Sequence, residues 1–243
     1  LYGNIGYYYC SNQVMTRIVA ISDTHGSHFG IKIPDGDVLI HAGDFCSDGN
    51  IRDAMIFLRW FNTHPHPTKI FIAGNHDWIC EKDPSLFRGL LTEFPDLTYL
   101  EETSCTINGL KFFGSPIQPF FYNWAFNRHR GEEIKHHWDI IPDDTDVLIT
   151  HGPPYGICDE AYREGFGITE HVGCKDLFDA TLRVAPLMHL FGHIHLSGQT
   201  SYIGPKTTYA NVSMLNEAYL VWGKPTIFDI DKDGIVSIIS ENE

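Results

Sequence analysis

The residues Arg17-Ile18-Val19-Ala20-Ile21-Ser22-Asp23-Thr24-His25 and Asp37-Val38-Leu39-Ile40-His41-Ala42-Gly43-Asp44 decide the reading of the fold. Each begins as a short apolar run, Arg17–Ser22 and Asp37–His41, with the length and β-branched content of a buried strand. Each then enters a polar cluster without a break. The same form returns at Lys69–Ala73, Val147–Thr150 and Met188–Phe191, which also end in Asp, His, Asn or Gly. Between them the period changes. Ile51–Phe61 puts Ile51, Ala54, Met55, Leu58 and Phe61 on one helical face. Leu86–Phe94, introduced by Asp83-Pro84, and Cys174–Val184 read as two further helices. Asn108-Gly109 is a hairpin signal between Cys105–Ile107 and Leu110–Gly114. Asp231–Gly234 joins Thr226–Ile230 to Ile235–Ser240 in the same way. Strands alternating with helices, with late hairpins at the edges, predict an α/β fold: a four-layer α-β-β-α sandwich of two mixed sheets. Because α/β folds bind ligands at the carboxyl ends of strands, the polar clusters are expected on one rim.

With 243 residues, 43% of them hydrophobic, the chain can bury one substantial core. No repeat, low-complexity tract or linker divides it, so residues 15–243 read as a single domain. Residues 1–14 have neither a charged start nor an apolar centre, which argues against a signal peptide. The run from Met15 looks like a natural protein start, so residues 1–14 are expected to be an appended or family-variable leader. Acidic residues outnumber basic ones by 31 to 17, a formal charge of −14. That balance argues against a general nucleic-acid or anionic-membrane binder, which needs a Lys/Arg surface. No apolar run approaches the ~20 residues of a membrane span. The six cysteines form no Cys-x-x-Cys pair, the pattern of free thiols in a reducing, cytoplasmic setting.

The chemistry lies in five clusters: Asp23-Thr24-His25, Gly43-Asp44, Gly74-Asn75-His76-Asp77, His151-Gly152 and Gly192-His193-Ile194-His195. Carboxylate and amide oxygens mixed with imidazoles suit Mn²⁺, Fe or Zn²⁺ better than Ca²⁺, which prefers oxygen alone. In an extended backbone, Asp23-x-His25 and His193-x-His195 present both side chains of each pair on one side. An acidic protein that handles phosphate needs a local positive centre, and bound metal ions supply one.

In this order the clusters resemble the signature of the calcineurin-like metallophosphoesterase superfamily. Residues Ile33-Pro34-Asp35-Gly36 through Asp44, Gly114-Ser115-Pro116 with Gln118-Pro119, His151-Gly152-Pro153-Pro154 and Val172-Gly173-Cys174 are similar to its metallophosphoesterase-domain-containing (MPPED-type) subfamily. That subfamily in turn resembles class III cyclic-nucleotide phosphodiesterases. The resemblance implies two divalent metal ions, Mn²⁺ first and Fe or Zn²⁺ as alternatives. One would be held by Asp23, His25, Asp44 and His195, the other by Asp44, Asn75, His151 and His193, with Asp44 bridging ions ~3.5–4 Å apart. It also implies that His76, not a ligand, steadies charge on the phosphoryl oxygens and protonates the leaving group.

Other residues have a plainer reading beside the functional one. The aromatic run Phe120–Asn127 is either a loop packed on the core or one wall of a substrate pocket, with Phe121 and Trp124 as stacking faces. Arg128 and Arg130 follow it as phosphate contacts or surface arginines, and Tyr155 with Cys158 would flank the entrance. His41 is expected as a hydrogen-bonded core residue, His64-Pro65-His66 as a solvated loop, His136-His137 on a polar helix face, and Asp77 as a helix N-terminal carboxylate. Asp44 is followed by Phe45-Cys46-Ser47, and His76 by Asp77-Trp78, so no arginine stands there to clamp a monoester dianion. The leading expectation is therefore a metal-dependent phosphodiesterase acting on a small phosphodiester or nucleotide, cyclic nucleotides included. A phosphomonoesterase (nucleotidase or protein phosphatase) and a nucleotide- or partner-binding scaffold of little activity are the alternatives.

Overall fold

The chain runs β1 (Thr16–Ile21), β2 (Val38–Ala42), α1 (Ile51–Asn62), β3 (Thr68–Ile72), α2 (Trp78–Lys82), α3 (Pro84–Leu91) and β4 (Leu97–Tyr99), then β5 (Thr103–Ile107) and β6 (Leu110–Ser115). It continues through β7 (Gln118–Pro119), β8 (Asn127–Arg128), α4 (Glu132–Asp139), β9 (Val147–Thr150), β10 (Glu160–Tyr162) and β11 (Thr169–His171). It ends with α5 (Lys175–Val184), β12 (Met188–Phe191), β13 (Thr200–Ile203), β14 (Thr208–Asn211), β15 (Thr226–Ile230) and β16 (Val236–Ile239). This computed structural model describes residues 15–163 and 165–239. The expected leader 1–14 and Ser240, the end of the last expected strand, lie outside the described residues.

Two six-stranded sheets form the frame, in the orders β16-β15-β1-β2-β3-β4 and β13-β14-β12-β9-β6-β5. Strands β1 to β4 are parallel, as are β6, β9, β12 and β14, while β15, β16, β5 and β13 close the edges antiparallel. The predicted mixed sheets are therefore present. Period-two alternation explains the layering. Ile18, Ala20, Val38, Ile40, Ile70 and Ile72 face Phe112, Val147, Ile149, Met188 and Leu190 between the sheets. Val19, Ile21, Leu39 and Phe71 point the other way, onto the Ala54, Phe57, Leu58 and Phe61 face of α1 and Phe87 of α3. Phe113 and Leu148 of the second sheet belong with Ile134 and Trp138 of α4 and Leu177 of α5.

Local signals set the element ends. Asn50 caps α1 by accepting from the backbone of Arg52 and Asp53. Asp83 caps α3 through Leu86 N–H, with Pro84 in the first helical position. That helix starts two residues before the expected Leu86 and stops at Leu91, where Thr92 bonds back to Gly89. In the β5–β6 hairpin, Asn108 and Gly109 both take positive φ, 52° and 83°, as a tight turn of that type requires. Two expectations need correction. His66 is buried at 3% exposure rather than solvated, in a turn where the Lys69 ammonium donates to the His64 and His66 carbonyls. Asp77 stands at the N-cap of α2, but its carboxylate makes no bond to the first turn, for a reason the site makes plain.

His41 in β2 and His189 in β12 are fully buried, and burial lowers each to about 3. The unfolded chain therefore takes up protons at these positions near its ordinary value of ~6.5, while the folded chain does not. The stability they permit is present above that value and is lost as pH falls from ~6.5 towards ~3, by ~1.4 kcal/mol per pH unit for each histidine. Urea unfolding of the chelator-treated protein at pH 7, 6 and 5 should show this decline. His189→Gln should remove one histidine's share of the slope, and an unchanged slope in that variant would refute the assignment.

Candidate metal centre

Five parallel strands deliver the polar clusters to one rim. Asp23 and His25 follow β1, Asp44 follows β2, Asn75 and His76 follow β3, His151 follows β9, and His193 with His195 follow β12. The two sheets are joined at this rim by a parallel bridge between Ser22 and Ser213, and Met214 N–H donates to the Ser22 carbonyl. Asp23, His25, Asp44 and His193 all adopt positive φ, at 52°, 40°, 56° and 69°. Left-handed backbone at a non-glycine residue carries a cost of ~1 kcal/mol or more and persists only where the surroundings impose it. They do so here. Asp23 N–H donates to Gly43 O at 2.9 Å, His25 N–H to Asp44 O at 3.0 Å, and His193 N–H to the Asp23 carboxylate at 3.0 Å. At Gly74 and Gly192 any Cβ would overlap the carboxylates of Asp44 and Asp23, so only glycine fits.

Asp77 is the clamp of this rim. Its fully buried carboxylate accepts from Gly74 N–H at 2.7 Å, Asp44 N–H at 2.9 Å and Cys46 N–H at 2.8 Å. One side chain thereby ties the loop after β2 to the loop after β3, which is why it is not spent on capping α2. Two threonines next to ligand candidates are held in a matched way. Thr24 Oγ1 lies 2.9 Å from His41 Nε2, and Thr150 Oγ1 lies 2.8 Å from His189 Nε2.

The donor atoms converge in overlapping sets. They are Asp23, His25 and His195; His25, Asp44 and His76; and Asp44, His151 and His193, each offering atoms within 4.8 Å of one another. Asp44 reaches both: its Oδ2 lies 3.7 Å from His25 Nε2 and 3.3 Å from His151 Nε2. Asn75 Oδ1 stands 2.9 Å from His151 Nε2, and Asp23 Oδ1 stands 3.6 Å from His195 Nε2. The Nδ1 of His151 faces Ala42 O at 3.0 Å, and that of His195 faces Asn216 O at 3.2 Å. A ring nitrogen facing a carbonyl must donate, so each Nε2 turns inward; in the neutral ring it carries a lone pair. His25 Nε2 lies 3.3 Å from His195 Nε2. Lone pairs from imidazole, carboxylate and amide thus point at each other across a buried space. Only protons or cations relieve that crowding, and mixed N/O donors fit a divalent transition metal.

Charge within the cluster follows. Burial opposes ionisation of Asp23 and Asp44, yet the facing His195 and His151 hold both carboxyls below their ordinary range. Burial also opposes a proton on His151, but Asp44 outweighs it and raises the imidazole to about 9; Asp23 likewise raises His195. Burial pushes His25 down to about 4 and His193 to about 3. Without a cation, protons on His151 and His195 occupy the place a metal would take.

Above the rim opens a cavity of about 1120 Å³. His76 N–H donates to Asp44 Oδ1 at 2.7 Å, and its Nδ1 faces Ser47 O at 3.2 Å. Trp124 stacks on the His76 ring with centroids 4.2 Å apart and planes at 25°. The aromatic stretch is divided: Ala125 and Phe126 enter the core, while Phe120, Phe121, Tyr122 and Trp124 line the cavity. Tyr155 lines it too. Arg128 does not, because its guanidinium pairs with Glu81 at 3.3 Å, and Cys158 packs under Phe191 and Tyr209 instead. Sequence reasoning missed Tyr219, whose ring lies 5.0 Å from His25 and 5.2 Å from His195. It also missed the β10–β11 hairpin, whose Tyr162, Arg163, Glu170 and His171 form cavity wall. Both sit in segments without hydrophobic period; the Asn216 carbonyl bonded to His195 is the contact that brings the Tyr219 loop to the site.

Comparison with known proteins agrees with this geometry. Residues 16–197 match the calcineurin-like phosphoesterase family. The chain is 35% identical over 236 residues to human metallophosphoesterase domain-containing protein 1, covering 88% of this chain and 71% of that protein. A Caenorhabditis elegans protein of the UPF0046 group is 37% identical over 227 residues, covering 89% of this chain and 76% of its own length. In fold the chain is similar to the crystal structure of TT1561 of Thermus thermophilus, with TM-score 0.55, 13% identity, and coverage of 92% of this chain and 98% of that one. A rim of strand-end carboxylates and imidazoles, on this two-sheet frame and in this sequence order, makes the chain a member of the calcineurin-like phosphoesterase family.

Proposed function

We propose that residues 15–243 act as one catalytic domain, a dinuclear-metal phosphodiesterase. The observation that carries this reading is the Asp44 carboxylate standing between His25 and His151 at the floor of an open cavity, which supports two donor sets that share it. One set is Asp23, His25, Asp44 and His195; the other is Asp44, Asn75, His151 and His193. Two divalent cations bound there, Mn²⁺ first among the candidates, supply Lewis acidity for a phosphoryl oxygen and acidify water at neutral pH. The residues do the remainder. Asp77 and the inward Nε2 atoms of His151 and His195 pre-organise the floor. His76, fixed between the Trp124 ring and the Ser47 carbonyl, offers Nε2 to the phosphoryl oxygens and to the leaving group.

A diester is favoured over a monoester because no arginine contacts any of the seven ligand candidates among the described residues. A dianion at the floor would have only the metals and His76 to balance it. The aromatic faces of Phe121, Trp124, Tyr155 and Tyr219 suit a nucleotide diester, cyclic nucleotides among them. The described cysteines are free thiols, which supports a cytoplasmic setting. No helix among the described residues is long and apolar enough to cross a membrane.

With Mn²⁺ added, the protein should hydrolyse bis(p-nitrophenyl) phosphate faster than p-nitrophenyl phosphate; the reverse order would favour a monoesterase, and neither activity would favour a binding scaffold. Asp44→Asn should lose more metal and more activity than a substitution at any ligand serving one ion. Metal analysis showing two ions at full occupancy in Asp44→Asn would end the bridging assignment. His76→Ala should keep both metals and lower kcat by roughly 10²–10³. Since Trp124 covers His76 rather than an empty face, Trp124→Ala should act mainly on kcat; a change in KM alone would return Trp124 to the substrate wall.

A further inference from the structure

One part of the cavity wall is built unlike the rest. Asp159 is fully buried and accepts from Gly156 N–H at 2.9 Å, Gly173 N–H at 2.9 Å and His171 Nδ1–H at 2.6 Å. His171 itself is open to the cavity, its side chain 45% exposed, with the Tyr155 ring 5.8 Å away. The bond to Asp159 raises the proton affinity of the imidazole and orients its Nε2 away from the carboxylate. Arg130 lines the same cavity and donates Nη1–H to Gly173 O at 2.7 Å and Nη2–H to Val172 O at 2.6 Å. Those carbonyls belong to the two residues after His171, so the guanidinium is anchored on the backbone next to that histidine, and both side chains line the same cavity. Arg130 has five N–H donors, two of them used, and it forms no ion pair among the described residues. Arg163, the other arginine on the wall, is already engaged by Glu170 at 4.0 Å and by the face of Phe166.

Resting on the phosphodiesterase reading above, we infer that Arg130 and His171 form a subsite for a phosphomonoester group carried by the substrate in addition to its scissile diester. A planar guanidinium with spare donors recognises phosphate oxygens through paired bonds, and the His171 Nε2 on the same wall adds a further polar contact. The buried Asp159 holds Nδ1, which raises the proton affinity of the imidazole and aims it, and Nδ1 stands between Asp159 and the ligand. The substrate is then a diester with a terminal phosphate, which the metals cleave while the wall holds the monoester. In a chain of net charge −14, the local positive charge of Arg130 also selects where an anionic substrate enters.

The test compares thymidine 5′-(p-nitrophenyl phosphate) with its 3′-phosphorylated counterpart, with Mn²⁺ present. Wild type should show a KM about tenfold lower for the phosphorylated diester, the scale of one charge-assisted contact. Arg130→Gln and His171→Gln should each erase most of that ratio, and Arg130→Lys, which keeps the charge but loses the fork, should keep only part of it. In parallel, chelator-treated protein is titrated calorimetrically with thymidine 3′,5′-bisphosphate, whose affinity should fall about tenfold in the two Gln variants. Equal KM values in wild type, equal losses on both diesters in the variants, or unchanged bisphosphate affinity would overturn the subsite. Absence of diester hydrolysis with variant-sensitive bisphosphate binding would instead overturn the phosphodiesterase reading and leave the subsite standing.

Discussion

The structure depends on a crowding of lone pairs. Carboxylate, amide and imidazole acceptors from five strand ends are brought within a few ångströms of each other in a buried rim, with His25 Nε2 only 3.3 Å from His195 Nε2. Such an arrangement is repulsive unless positive charge lies inside it. The protein accepts it because the two sheets are stable elsewhere. Their facing surfaces are continuous apolar layers, Ile18, Ala20, Ile40 and Ile72 against Phe112, Ile149 and Leu190. The core supplies the rigidity that the site consumes.

How the crowding is held in place explains several residues that are not themselves ligand candidates. Asp77 gathers three backbone N–H groups from two loops, and its removal would free both Asp44 and Asn75 to move. His41 and His189 do a related task one layer deeper, each bonded to a threonine that adjoins a ligand candidate. They are neutral, and they have to be: a proton on either would be a buried charge with no paired anion in contact. Positive φ at Asp23, His25, Asp44 and His193 belongs to the same economy, since the turns that aim these side chains inward exist only under the bonds around them.

The cavity above the rim is asymmetric in chemistry. Aromatic faces from the Phe120–Trp124 stretch and Tyr219 border His76, whereas the β10–β11 side carries Arg130, His171 and the Arg163–Glu170 pair. Phosphoryl chemistry requires charge at the floor, and the floor is complete without any arginine. The positive groups of the cavity, Arg130 and Arg163, stand on its wall rather than at the floor. Family membership makes a phosphoester the bond at stake, and the wall is where the chemistry around it varies.

By itself the sequence determined strands β1, β2, β3, β5, β6, β9, β12, β15 and β16, helices α1, α3 and α5, the two-sheet architecture and a set of metal-ligand candidates. Those features are local: apolar runs of strand length, Asn50 and Asp83 as caps, Asn108-Gly109 as a turn, and polar clusters written directly after each strand. The helical face of Ile51–Phe61 was equally legible, since periodicity needs only neighbours a turn apart. Tertiary structure alone decided what distant chain segments do to one another. It turned Asp77 from a helix cap into a clamp, sent Arg128 to Glu81 and Arg130 to the wall, buried His66, and placed Trp124 on His76 instead of leaving both its faces to a ligand. It also brought Tyr219 and His171 to the cavity from segments with no period to read. A side chain's element follows from residues a few positions away, but its partner is chosen by packing across the whole fold, and packing is not written in any short stretch of sequence.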